Sequence, residues 1–164
     1  MNEIAIVLNT KERNHILKRV LKYYKIYGFK GSIYIGNAGS INSYNELNDY
    51  ISTIKEYNIK HVHYPQYNQQ YLNGVTVKDL LKFVKEKYVI VTGDDDYINL
   101  DNIDLYYNFL ENNFEYSCCH GYGLQYNLDI NKPTDLIKTY SHENSTPSNR
   151  ILELTNNYQV LQLS

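Results

Sequence analysis

The residues most able to do chemistry are three consecutive carboxylates, Asp94-Asp95-Asp96, directly after the apolar run Tyr88–Thr92 and Gly93. Three like charges crowded together repel, so they persist only beside a cation or with some carboxyls protonated. A hard divalent ion such as magnesium or manganese, held through one or two carboxylates plus a diphosphate, is the natural solution. Residues at i and i+2 can converge on one ion while the middle one turns aside, which makes Asp94 and Asp96 the metal pair; a second register uses Asp95 and Asp96. The competing reading is a solvated turn, since aspartate also favours turns and caps. A strand end over a sheet is a poor place for uncompensated charge, and that favours the functional reading.

Two further groups have the same placement. Asn9-Thr10-Lys11-Glu12-Arg13 follows the apolar run Glu3–Leu8, and a guanidinium at a helix amino terminus can clamp a phosphate or stack on a base. Asn37, followed by Ala38-Gly39-Ser40, closes the run Ser32–Ile35, where an amide can pair with the edge of a nucleobase. Taken singly, each is as well explained by a capped helix or a turn.

These groups need a frame. Glu3–Leu8, Ser32–Ile35, Lys60–Tyr64 and Tyr88–Thr92 read as strands, the first and last apolar enough to be buried on both faces. Between them lie helical patterns. Leu17, Val20, Leu21 and Tyr24 run from cap candidates Asn9 and Thr10 to a stop at Gly28. Leu47, Tyr50, Ile51 and Ile54 follow a capping box of Ser43 and Glu46, and Val77, Leu80, Leu81 and Val84 follow Thr76 with Asp79. Gln66–Asn73 reads as a loop. Asp101 looks like the cap of a helix with Ile103, Tyr106, Tyr107 and Leu110; Tyr116–Tyr126 reads as one or two strands; Asn127–Pro147 is polar and irregular; Ser148 caps a last helix with Ile151, Leu154, Tyr158 and Leu161. Alternating strands and helices predict an α/β fold, a mostly parallel twisted sheet with helices on both faces. In such sheets ligands collect beyond the carboxyl ends of the strands, which is where all three groups fall.

Strand-Asn-Thr-x-x-Arg13, strand-Asn37-Ala38-Gly39-Ser40 and strand-Gly93-Asp94-Asp95-Asp96 together resemble the Rossmann-like nucleotide-sugar-binding half of GT-A-fold glycosyltransferases, above all the bacterial group resembling family 2. The resemblance covers about residues 3–126. It implies that Thr10 and Arg13 contact the donor, that Asn37 meets the base, and that Asp94 and Asp96, with Asp95 in the same motif, form the DxD site for Mn2+ or Mg2+. Two departures stand out: Asn37 occupies a position usually held by Asp, and Gly93 replaces what is often another acid. The implied activity is metal-dependent transfer of a hexosyl group from a nucleoside-diphosphate sugar such as a UDP-sugar to a saccharide or lipid-linked hydroxyl, in bacterial surface polysaccharide synthesis.

Residues 1–126 are then the donor-binding core, and 127–164 a polar loop and helix that start an acceptor side. Glu143 and Asp135, in the polar segment, are the late acids that could serve as catalytic base, and neither has a motif around it. The rival enzyme, a sugar-phosphate nucleotidyltransferase, normally needs a glycine-rich phosphate loop that Asn9–Asn14 lacks; the rival of another class is a non-catalytic nucleotide-sugar-binding module.

Composition sets bounds. The chain has 164 residues, enough for one ordinary core. Its 16 Lys+Arg against 18 Asp+Glu give a net charge of −2, which argues against a nucleic-acid partner held by phosphate neutralisation. No stretch is apolar enough for a transmembrane span, which predicts a cytoplasmic protein, free or peripheral at the inner face of the membrane. Cys118 and Cys119 are adjacent in a strand-like run and point to opposite faces, so they form neither a disulfide framework nor a metal pair. His61 and His63 share a face of the third strand without a third ligand. The 19 tyrosines reflect codon bias and fill much of the core, so Tyr64, Tyr67 and Tyr97 near the expected site are weak stacking candidates, as is His120 as a site residue.

Overall fold

The computed structural model describes residues 3–55, 57–67, 73–120, 124–129, 132–141 and 159–161. The strands β1 (Ile4–Thr10), β2 (Ser32–Asn37), β3 (Asn58–His63) and β4 (Tyr88–Thr92) alternate with the helices α1 (Asn14–Ile26), α2 (Ile41–Ser52) and α3 (Asn73–Leu81). Next come α4 (Ile103–Asn112), preceded by a 3-10 turn at Leu100–Asn102, then β5 (Cys118–Cys119), β6 (Leu124–Asp129), β7 (Lys132–Ser141) and β8 (Gln159–Leu161). The main sheet runs β3-β2-β1-β4-β8-β5 with every pair parallel, as the expected α/β class requires.

Alternation along β1 explains the layers, because successive side chains of a strand point to opposite faces. Ile4, Ile6 and Leu8 join Leu17, Val20, Leu21 and Tyr24 of α1, Leu47 of α2 and Leu110 of α4 in one core, whereas Ala5 and Val7 pack with Tyr34, Val89 and the α3 residues Leu80 and Leu81 in another. Gly36 lets α3 approach the sheet: a Cβ there would sit 2.4 Å from Thr76 Cγ2 and 3.0 Å from Leu80 Cδ1. Gly28, with φ of 73°, terminates α1 as expected. Its N–H donates to Lys25 O, and Phe29 N–H donates to Tyr24 O while the two rings pack together, the hydrogen-bond pattern of a Schellman cap.

Several boundaries differ from the sequence reading. Asn9 and Thr10 do not cap α1; they extend β1, because the ladder to β2 continues through Thr10↔Asn37, and Arg13 holds the cap position without a side-chain bond. The cap of α2 is Ser40, whose Oγ accepts from Ser43 N at 3.2 Å, three residues before the predicted box. Glu46 instead accepts from Asn14 and Lys18 of α1. The α3 helix begins at Asn73, ahead of Thr76. Asn99, not Asp101, caps the turn before α4 by accepting from Asp101 N.

The largest differences lie late in the chain. Part of the segment expected to be irregular is an antiparallel hairpin, β6 paired with β7, outside the main sheet. Residues 159–161, expected to end a helix, form β8 between β4 and β5, where pairing with two strands overrides a local helical pattern; the rest of that predicted helix lies outside the described residues.

Candidate functional site

Strand order reverses direction at β1: β2 and β3 lie to one side, β4 to the other. In open parallel α/β sheets ligands gather beyond the carboxyl ends of the strands at the place where the strand order reverses. Thr10 at the tip of β1 and Asp94 beyond the tip of β4 meet there. Thr10 Oγ1 donates to Asp94 Oδ2 at 2.6 Å. Arg13, from the loop that leaves β1, spans two carboxylates: Nη1 lies 3.1 Å from Asp94 Oδ1 and Nη2 donates to Asp95 Oδ2 at 2.6 Å. Two of the predicted groups, one from residues 10–13 and one from residues 94–96, are thus brought into direct contact across more than eighty residues of sequence.

The three aspartates are not equivalent. Asp94 is 4% exposed, and burial raises its pKa above the ordinary carboxylate value against the opposing pull of the Thr10 hydroxyl and the Arg13 charge. Asp95 and Asp96 are exposed. Asp96 turns back so that Oδ2 accepts from Gly93 N at 3.1 Å. A Cβ on Gly93 would lie 2.8 Å from Asp96 Oδ2 and 3.0 Å from Asp95 Oδ1. Two carboxylate oxygens therefore border one small space that the absence of a side chain at 93 leaves open.

That space bears on the cation the sequence implies. Both oxygens of Asp94 are engaged, by Thr10 and by Arg13, whereas Asp95 Oδ1 borders the cradle over Gly93 together with Asp96 Oδ2, which also accepts from Gly93 N–H. A magnesium or manganese ion, which takes one or two carboxylates and fills its remaining positions with phosphate oxygens and water, fits this donor set. Among the described residues no group of three or more His, Cys, Asp or Glu is arranged to hold a metal ion, so further ligands would come from the donor and solvent.

The tip of β2 is built differently. Asn37 is 0% exposed. Its Oδ1 accepts from Gly39 N at 2.8 Å and its Nδ2 faces His61 Nε2 at 3.3 Å. In that bond the amide donates, so the neutral His61 carries its proton on Nδ1. The Tyr44 ring, from the first turn of α2, stacks on both His61 and His63, with centroids 4.4 and 4.7 Å away. Burial, and secondarily the charge of His63, push the His61 pKa down to about 4. His63 Nε2 lies 3.0 Å from Gly39 O. Asn37, the last residue of β2, thus closes its own turn and pairs in register with Thr10.

A polar seam ties these two tips together, and sequence reasoning missed it. Glu12 adopts φ of 54°, a left-handed conformation uncommon for a residue with a Cβ, and its Oε1 accepts from Ser40 N. In a capping box the residue three positions after the cap supplies that acid; here the loop after β1 supplies it from outside the helix. The hydrogen bond from Ser40 N is the main reason the Glu12 carboxyl sits below the usual range. Asn14 and Ser43, both buried, complete the seam: Ser43 Oγ donates to Asn14 Oδ1 at 3.1 Å and Asn14 Nδ2 donates to Ser43 O at 2.9 Å. Only the Ser40–Ser43 spacing was visible locally; Glu12 and Asn14 act on partners 28 and 29 residues away.

The remaining candidates fall elsewhere. Asp135 lies within β7, on the hairpin apart from the main sheet, and Glu143 lies outside the described residues. Tyr64 is a core residue stacked on Tyr67, whose hydroxyl donates to Asp79. Tyr97 is exposed and packs edge-on against Tyr23. His120 is exposed at the end of β5.

No protein-family model matches the chain, and no curated protein sequence does. Solved structures do. The crystal structure of S. aureus TarS 1-349 superposes with a TM-score of 0.56 at 15% identity, over 70% of this chain and 33% of that one. S. aureus TarS 1-349 in complex with UDP-GlcNAc gives a TM-score of 0.52 at 15% identity, over 70% and 32%. The chain spans about a third of the length of these neighbours. What it shares with them is a Rossmann-like α/β fold with a parallel sheet. No described helix is long and apolar enough to cross a membrane.

Proposed function

We propose that the crevice between the tips of β1 and β4 binds a nucleoside-diphosphate sugar and supports transfer of the sugar to a hydroxyl of a saccharide or lipid-linked acceptor, in the making of a bacterial surface polysaccharide. The observation that carries this reading is the convergence of Thr10, Arg13 and the Asp94–Asp96 cluster at the topological switch point, with Asn37 aligned beside Thr10 on the next strand. The fold shared with a protein whose structure was solved with UDP-GlcNAc supports a nucleotide-sugar as the ligand.

In this reading Asp95 and Asp96 hold a manganese or magnesium ion, and Asp94 orients Arg13 and Thr10 from below. The ion would supply neutralisation of the diphosphate as the sugar leaves. Arg13 and the amino terminus of α1 add positive potential at the same place. Asn37 positions the β2 tip on which the base would rest, its own amide being committed to Gly39 and His61. The chain's part is thus orientation and charge complementarity at the leaving group.

Calorimetric titration with UDP and with GDP, each with and without Mn2+, tests the reading. Saturable binding of one nucleotide that strengthens with Mn2+ supports it, and absence of binding under all four conditions refutes it. Release of sugar from the bound donor, or its transfer to an acceptor, then separates an enzyme from a module that only binds.

A further inference from the structure

The guanidinium of Arg13 reaches two different carboxylates with unequal grips. Its Nη1 faces Asp94, whose side chain is 6% exposed and which also accepts from Thr10; its Nη2 holds Asp95, whose side chain is 52% exposed. An ion pair with a buried carboxylate is hard to break, because breaking it strands a charge away from water, whereas a solvent-exposed pair is weak and readily exchanged. Asp95 is also one of the two residues whose oxygens border the cradle over Gly93. A cation in that cradle and the guanidinium would share one carboxylate and repel each other.

From this we infer that Arg13 is a resident counter-ion for the acidic cluster, which a divalent cation displaces from Asp95 while the Asp94 contact keeps the side chain over the crevice. The displaced half of the fork then has one anionic partner within the site as proposed, the diphosphate of the donor. The inference rests on the donor reading above and adds a mechanism of exchange: the same residue opposes binding of the metal alone and favours binding of the nucleotide. Arg13 also sits next to Glu12, whose left-handed backbone and bond to Ser40 anchor the loop. The exchange therefore needs only rotation of the Arg13 side chain.

The test compares wild type with Arg13→Met and Arg13→Lys, using Mn2+ alone and then UDP at saturating Mn2+. Binding of Mn2+ is read from the loss of the free-ion electron paramagnetic resonance signal. Arg13→Met should bind Mn2+ about tenfold more tightly and UDP about tenfold more weakly, shifts of opposite sign from loss of one charge beside a cation and beside an anion. Arg13→Lys keeps the charge but cannot span two carboxylates, so its Mn2+ affinity should fall between the other two. A role limited to holding the loop would weaken both ligands together. Equal or weaker Mn2+ binding by Arg13→Met overturns the inference. Should that variant fail to melt cooperatively, Arg13→Lys decides: tighter Mn2+ binding than wild type supports the exchange, and equal binding overturns it. Failure of all three proteins to bind Mn2+ also overturns it; UDP binding by wild type would in that case leave the donor reading standing, and its absence would remove both.

Discussion

The two halves of the crevice use opposite physics at adjacent strand tips. Between β1 and β4 one forked, half-exposed cation bridges a buried carboxylate, Asp94, and an exposed one, Asp95. Between β2 and β3 the groups are neutral and partly or wholly buried: an amide between a backbone N–H and an imidazole, under a tyrosine stacked on two histidines. Ion pairs near water exchange partners easily, while a buried hydrogen-bonded amide leaves unsatisfied groups when disturbed. The first half is suited to taking up and releasing a charged ligand, and the second to keeping a fixed edge against which that ligand is aligned. Changes to the first should alter binding with little effect on stability, and changes to the second should do the reverse.

The largest expected effect is on the charged side. Asp96→Asn should remove the metal-dependent part of UDP affinity, a loss of about a hundredfold or close to 3 kcal/mol, while thermal unfolding stays near that of wild type because the residue is exposed. Loss of stability without loss of affinity would break the contrast. On the neutral side Asn37→Ala strips partners from the Gly39 N–H and His61 Nε2, and denaturant unfolding should show a loss of about 2 kcal/mol, with the response to Mn2+ retained.

Acid titration acts on the neutral side. The His61 pKa is depressed from 6.5 to about 4, so the unfolded chain takes up the proton first. The stability that comes from keeping this imidazole neutral is therefore present above pH 6.5 and is lost as pH falls toward 4. Allowing for its partial exposure, the loss is about 1.5 kcal/mol. His61→Gln should flatten that part of the pH–stability curve, and an unchanged slope would assign it to other groups. The smallest effect is at the seam between the halves. Ser40→Ala should cost about 1 kcal/mol in stability through loss of the α2 cap, measured by the same unfolding experiment.

These contrasts also show what local sequence can carry. The run Tyr88–Thr92 was legible to the residue because an apolar strand buried on both faces ends abruptly at Gly93 and charge. The acidic cluster and the first loop were legible as strand-end groups for the same reason. Helix starts were less so: several Asn, Ser, Thr and Asp residues compete for each cap, and the choice at Ser40 or Asn99 depends on where the preceding strand or turn stops. The fork of Arg13 onto Asp94 and Asp95, the bond of Glu12 to Ser40 and the cover of Tyr44 over His61 join residues from different loops and helices. No spacing within a segment encodes them. The start of β6 falls in the strand-like run Tyr116–Tyr126, but the rest of the hairpin was missed because its strands are rich in polar residues, and pairing with each other rather than apolar periodicity defines them.

The most direct test is a crystal structure of the protein with a nucleoside-diphosphate sugar and Mn2+. The diphosphate is expected between the tips of β1 and β4, with the ion against Asp95 and Asp96 and an Arg13 Nη shifted from Asp95 to a phosphate oxygen. A nucleotide bound at a different edge of the sheet, with Arg13 still spanning Asp94 and Asp95, would contradict that placement.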